Sequence, residues 1–258
     1  MDLGLSGKVA LVTGGSKGIG LACAELLHQE GCRVCIASRD KANLDTAAKH
    51  IGGCFIHAAD LTSPEAAARM IDAMEREIGP IDILVNSAGA AKRTPPADLD
   101  PAAWRAAMDA KFFTYVHAID PLIKRMAARE RGVIVNVIGN GGKVASPTHI
   151  AGGAANAALM LATAALANAY ASRGVRVVGI NPGLTNTDRV AEGLRAEARL
   201  SGTSPEESLK RALARIPLGR MAEPEEIARV VCFLASPQAS YVSGVTITMD
   251  GVSTPLVV

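Results

Sequence analysis

The chain has no dense run of lysine or arginine, and its formal net charge is only +2. That leaves no electrostatic footprint for nucleic acid, and neither an RNA-recognition signature nor zinc-finger spacing occurs. There is no internal repeat, low-complexity segment or interdomain linker. Apolar stretches of the length a membrane span needs are missing, apart from an Ala-rich segment near Ala151 to Tyr170. Its Gly, Asn and Thr content and its mid-chain position suit a buried helix of a soluble protein. Met1-Asp2-Leu3-Gly4 has no basic stretch leading into an apolar run, so no signal peptide is expected and a cytoplasmic location is. Five cysteines (Cys23, Cys32, Cys35, Cys54 and Cys232) cannot all pair with one another, which fits a reducing compartment. Cys32 and Cys35 form a C-x-x-C on an expected strand, where positions three apart face opposite sides, so redox or metal use is not expected.

Hydrophobic residues make up 49% of the 258 residues and charged ones 20%, enough for a sizeable core in one domain spanning 1–258. Short apolar runs alternate with helical patterns. Strands are expected at Lys8–Thr13, Arg33–Ser38, Cys54–Ala58, Ile81–Asn86, Val133–Ile138 and Val175–Ile180. Between them helices are expected at Gly18 to about Gln29, Lys41–Ile51, Pro64–Ile78, about Pro101 to Ala128, and over the Ala-rich segment. Strands that are apolar throughout, rather than alternating, indicate a parallel sheet buried on both faces. The fold class is therefore α/β, a doubly wound parallel sheet with helices on both faces. The stretch from Thr187 to Arg215 breaks the rhythm, being polar, mixed in charge and punctuated by Gly193, Gly202 and Pro205. An insertion after a strand's carboxyl end sits above the ligand crevice of such a sheet, so a substrate lid is expected at 187–215.

Thr13-Gly14-Gly15-Ser16-Lys17-Gly18-Ile19-Gly20 joins the first strand to the first helix. Gly14 permits a sharp turn, Gly18 lets the backbone approach a pyrophosphate, and Gly20 lets the helix pack closely on the strand. The helix N-terminus adds unpaired N–H groups and the positive end of its dipole. Within a βαβ unit this pattern marks a single-domain Rossmann fold. The second strand ends Ser38-Arg39-Asp40, without the carboxylate that an NAD ribose requires. Lys17 and Arg39 would instead pair with a 2′-phosphate, so NADP(H) is expected over NAD(H), with Asp40 serving as a helix cap.

From here the chain resembles the short-chain dehydrogenase/reductase family over nearly its whole length. The loop fits the family's T-G-x(3)-G-x-G pattern, with Gly14, Ser16, Lys17, Gly18, Ile19 and Gly20 as cofactor contacts. The resemblance places Asp60-Leu61 at the adenine, and Asn86-Ser87-Ala88-Gly89 looks like the N-N-A-G element, contributing Asn86, Ala88 and Gly89. Asn181-Pro182-Gly183 followed by Thr187 is similar to the segment that holds the nicotinamide carboxamide. The tail from Ile216 through Pro224-Glu225-Glu226-Ile227-Ala228 to Asp250-Gly251 also follows the family wording.

The family's chemistry rests on a Tyr acid or base, a Lys four residues later on the same helix face, a Ser at the preceding strand's end and an Asn on the long helix. Here those positions are Gly152, Asn156, Gly139 and Lys111, and none of Tyr115, Tyr170 or Tyr241 is followed by Lys at the fourth residue. Lys111, Asn140, Lys143, Ser146, Thr148 and His149 come from segments expected near the crevice. His149 is the most natural proton donor and Lys111 could polarise a carbonyl if it points inward, while Asn156 can still donate to ribose hydroxyls. Gly152-Gly153 at a helix start costs roughly 1 kcal/mol per residue against Ala, which suggests a need for space for a substrate, the cofactor or a neighbouring helix. Three functions stay open: an NADP(H)-dependent oxidoreductase acting on a carbonyl or alcohol through an altered site, a non-catalytic NADP(H)-binding sensor or scaffold, and a lyase or isomerase reusing the crevice. The helix from Asn156 to Tyr170 is apolar nearly all round, and the resemblance implies the same conclusion, a homodimer or homotetramer.

Overall fold

Strands that are apolar on both sides belong in the interior of a sheet covered twice over. A computed structural model, describing residues 1–89 and 91–255, places them there. β1 (Val9–Thr13), β2 (Arg33–Ser38), β3 (Phe55–Ala58), β4 (Ile83–Asn86), β5 (Gly132–Val137), β6 (Val175–Pro182) and β7 (Thr246–Met249) form one seven-stranded sheet. Its order is β3-β2-β1-β4-β5-β6-β7, with every pairing parallel. Successive side chains divide between the two faces. Ala10 and Val12 join the core under α1 (Gly18–Gln29), α2 (Lys41–Ile51) and α9 (Pro224–Ala235). Val9 and Leu11 join the core under α3 (Pro64–Ile78), α5 (Thr114–Ala128) and α6 (Ile150–Tyr170). The strand order changes direction between β1 and β4, which opens the crevice at their carboxyl ends.

The C-x-x-C splits across the sheet as strand geometry requires: Cys32 lies in the first core and Cys35 in the second. Burial, with the nearby Glu30 and Asp82 carboxylates, pushes the Cys32 thiol up to about 12, Lys8 opposing in part. Asp40 caps α2 as expected, its carboxylate accepting the Asn43 N–H at 3.0 Å.

Three segments differ from expectation. The long helix is not continuous: α4 (Pro101–Met108) passes through a wide π turn at Asp109–Phe113 before α5 begins. The extra residue in that turn brings Lys111 to the interior while Phe113 stays partly exposed. The polar stretch after β6 forms two helices, α7 (Asp188–Ser201) and α8 (Pro205–Leu213), of which few residues are buried (Ala198 and Ser208 among them). The tail, legible only as wording, supplies α9 and the edge strand β7. One helix among the described residues, Ile150–Arg173, is long and apolar enough to cross a membrane. In this fold its α6 portion is the crossover between the neighbouring parallel strands β5 and β6.

Candidate active site

At the first turn, Gly14 has φ +69°, and a Cβ there would lie 2.8 Å from the Ala88 backbone. Gly18 has φ +54°, and a Cβ on it would stand 3.2 Å from Thr187 Cγ2. A side chain at Gly20 would run into the Gly14 carbonyl. The glycines therefore bring three backbones together: the loop, the β4 exit and the start of α7. Lys17 is the N-cap of α1 without a side-chain cap, and no acidic residue lies in that first turn. Anion-binding capacity at the helix start is left free for phosphate oxygens.

Beneath the crevice runs a buried ladder of short polar side chains. Thr13 Oγ1 donates to Asn86 Oδ1 at 3.2 Å, Asn86 Nδ2 to Asn136 Oδ1 at 3.0 Å, and Asn136 Nδ2 to Thr163 Oγ1 at 3.0 Å. Thr13 Oγ1 also accepts the N–H groups of Ser87 and Ala88, both at 3.3 Å. Asn86 is thus fully buried with its side chain committed to the protein, so it shapes the Ala88-Gly89 turn and does not line the cleft.

At the nucleoside end, Ser38 is half-buried and Arg39 and Lys17 are exposed. Asp60 accepts from Thr62 N at 3.0 Å and from Thr62 Oγ1 at 2.8 Å. These bonds, aided by the Arg39 charge against a small opposing effect of burial, hold its carboxyl below the usual range. Leu61 is buried and its carbonyl accepts from His117 Nδ1 at 2.9 Å. At the other end, Gly183 is held by its N–H to the Met249 carbonyl at 2.9 Å behind Pro182, and Thr187 caps α7 by accepting the Val190 N–H at 3.4 Å.

The four positions where the resemblance expects catalytic groups lie close together. Gly139 leaves β5 with φ +119°, a conformation that suits glycine. Asn156 is buried, with Nδ2 3.5 Å from the Gly139 carbonyl. The space at Gly152 and Gly153 turns out to be used from within the chain. The His149 imidazole folds over Gly152 into the place a side chain there would fill, and a Cβ on Gly153 would lie 2.8 Å from the Gly141 carbonyl. A Cβ on Gly141 would stand 3.0 Å from His149 Cδ2 and 3.5 Å from Asn156 Nδ2, so the imidazole and the amide are neighbours.

Lys111 points inward. Its Nζ donates to Tyr115 Oη at 2.7 Å and to the Val137 carbonyl at 3.1 Å, and Tyr115 Oη donates to that same carbonyl. Burial, with the charge of Arg189, brings the Lys111 amine down to about 7. Burial pushes the Tyr115 phenol up, Arg189 opposing in part. His149 is lowered by burial first and then by Arg93, Arg189 and Lys111. Sequence reasoning passed over Tyr115, although its signal was present: Lys111 precedes it by four residues, the reverse of the spacing sought. Of the buried side-chain atoms without hydrogen-bond partners among the described residues, His149 Nδ1, Asn140 Oδ1 and Asn181 Oδ1 lie around the carboxyl ends of β5 and β6, while Asp82 Oδ1 and Arg129 Nε lie elsewhere. Buried polar atoms are ordinarily satisfied; three such atoms together with a glycine cradle fit a bound dinucleotide and substrate.

Comparison with known proteins agrees with this geometry. A family model described as enoyl-(acyl carrier protein) reductase matches residues 14–252. The 2,3-dihydroxy-2,3-dihydro-p-cumate dehydrogenase of Pseudomonas putida is 34% identical, covering 98% of this chain and 97% of its own. A variant of actinorhodin polyketide ketoreductase solved with NADPH superposes with a TM-score of 0.93 at 28% identity, over 97% of this chain and 98% of the other. L-Sorbose reductase from Gluconobacter frateurii, complexed with NADPH and L-sorbose, has a TM-score of 0.91 at 29% identity and full coverage of both chains, 100% each. The glycine cradle, the strand order and these likenesses together establish that the chain belongs to the short-chain dehydrogenase/reductase family of oxidoreductases.

Proposed function

We propose that the protein is an NADP(H)-dependent oxidoreductase that interconverts a carbonyl and an alcohol through a site without the family's Ser, Tyr, Lys and Asn. The reading rests on the placement of the His149 imidazole in the volume over Gly152, beside Asn156 and Gly141. The α1 N-terminus and the Gly14 to Gly20 loop would hold the pyrophosphate, Lys17 and Arg39 the 2′-phosphate, and Asn156 a ribose hydroxyl. Bound NADPH supplies the hydride. His149 delivers the proton to the carbonyl oxygen, and the Lys111 charge beneath stabilises the oxygen as it becomes negative. His149 lies below its usual 6.5, so the proton-donating imidazolium is lost as pH rises through a value under 6.5. Reduction should therefore speed up towards acid pH. His149→Ala should remove most of the rate and the part of the rise below 6.5, leaving the part near 7 that belongs to the Lys111 amine.

One chain comprises one cofactor domain over 1–258, with α7 and α8 as the lid of a homodimeric or homotetrameric cytoplasmic enzyme. NADPH fluorescence titration followed by NADPH oxidation over a carbonyl panel tests the reading. Turnover lost in Lys111→Ala or His149→Ala supports it. Tight NADPH binding with no hydride transfer to any substrate replaces it with the sensor or scaffold reading. That second reading has its own support in the way His149 and the Gly141 carbonyl occupy the room at Gly152-Gly153.

A further inference from the structure

Neither Arg93 nor Arg189 belongs to a cofactor motif, yet the fold brings both to the crevice. Arg93 follows β4, and its Nη1 lies 3.3 Å from Thr148 Oγ1. The neighbouring Thr94 N–H donates to the Thr148 carbonyl at 3.1 Å, pinning this stretch beside His149. Arg189, in the first turn of α7, reaches across from the opposite side, with Nη1 3.5 Å from the Gly89 carbonyl. Gly89 in turn packs against the Ala110 carbonyl, the residue before Lys111. Arg93, Arg189, Lys111 and the titratable His149 thus converge on the carboxyl ends of β4 and β5.

No carboxylate among the described residues lies within 4.0 Å of the charged atoms of these four side chains. Each of Arg93, Arg189 and Lys111 lowers the His149 pKa, as neighbouring uncompensated cations should. Like charges at the mouth of a partly desolvated site repel, and a bound anion removes the repulsion. A pyrophosphate running past Gly18 and Thr187 answers to Arg189. It does not answer to Arg93, which stands on the His149 side of the crevice.

Building on the oxidoreductase reading, we propose that the substrate is an anion, bearing a carboxylate or phosphate near its reacting carbonyl. Arg93 grips the anionic group while the carbonyl oxygen meets His149, Arg189 being left to the cofactor's pyrophosphate. Guanidinium groups favour both oxyanions through paired hydrogen bonds, and carboxylate and phosphate share that chemistry.

The test is calorimetric binding to protein saturated with NADP+, so that the pyrophosphate site is already filled. The probes are two matched pairs: 4-oxopentanoate with its methyl ester, and dihydroxyacetone phosphate with dihydroxyacetone. At least one charged member should bind about tenfold or more tightly than its neutral partner. Arg93→Ala should lose that advantage while keeping the parent's melting temperature, because Arg93 is exposed, and Arg93→Lys should recover part of it. Which pair discriminates tells carboxylate from phosphate. Equal affinity within each pair, no binding by either charged compound, or full charge preference in Arg93→Ala overturns the proposal. Binding is read without turnover, so the two readings fail separately. Charge discrimination without NADPH oxidation removes only the reductase, and turnover of neutral carbonyls without discrimination removes only the anion site.

Discussion

An amine with a folded pKa of about 7, against 10.5 for an ordinary lysine, binds fewer protons in the folded chain than in the unfolded one between those values. Unfolding takes up a proton in that window, so stability rises with pH from about 7 to 10.5, and the whole cost of burying the charge is carried below it. The slope approaches roughly 1.4 kcal/mol per pH unit. Lys111→Met should therefore melt higher than the parent at neutral pH, with the gap closing towards alkaline pH, while carbonyl reduction falls. Parallel melting curves for the two proteins across this range would defeat the argument. Gly152→Ala is the companion case. A methyl there overlaps the His149 ring, so it should reduce turnover as His149→Ala does while NADPH affinity persists. The glycine loop was legible in the sequence because its demands are local: a turn, a close approach, a helix start. His149's position was not, since it depends on Gly152 and Gly141 lacking side chains at two separate places on the chain.

At the scale of elements, the alternation of strands and helices was readable because parallel strands buried on both faces leave continuous apolar runs, and most boundaries fall within a residue or two of expectation. The π turn at Asp109–Phe113 was not readable, because nothing in the local pattern says that Lys111 is drawn in by the Val137 carbonyl. The helical character of α7 and α8 was there to be read: Val190, Leu194 and Ala198, and then Leu209, Ala212 and Leu213, recur at helical spacing, but the mixed charge and the Gly193, Gly202 and Pro205 punctuation obscured it. The start of α7 nevertheless bears on the cofactor. Thr187 caps it and touches the place where Gly18 would carry a side chain. Thr187→Val keeps the shape and loses the cap, which costs about 1 kcal/mol locally. We expect NADPH affinity to weaken severalfold in fluorescence titration with little change in global melting, and Thr187→Ser to restore it. Unchanged affinity in Thr187→Val would mean that α7 closes independently of its cap.

Among the described residues, several large apolar side chains are left open on and beside α6. Leu161 on α6 is 74% exposed, and Ile150, Phe113 and Trp104 on or beside α6, the π turn and α4 are each more than a third exposed. α6 therefore meets its sheet on one side only, with Leu159 and Ala167 in the core and Leu161 facing out. A helix without a polar side gains little from water on its free face, and burying a leucine side chain against another subunit contributes about 1.5–3 kcal/mol. The composition pointed to a helix covered on both sides; the fold supplies one cover, and we propose a second copy of the chain as the other. Two-fold pairing would set each Leu161 against the same patch of its partner, so one substitution strikes the interface twice. Leu161→Glu should then convert the protein from an oligomer to a species of 26.6 kDa in sedimentation velocity, with the sheet and the cofactor cleft intact. A parent protein that already sediments at 26.6 kDa would mean that this face stays open in solution. Retained NADPH binding in a monomeric Leu161→Glu would place the whole cofactor site within one chain, in keeping with Asn156 being buried on α6 where Leu161 is exposed, and with Gly18 and Thr187 standing at the starts of α1 and α7.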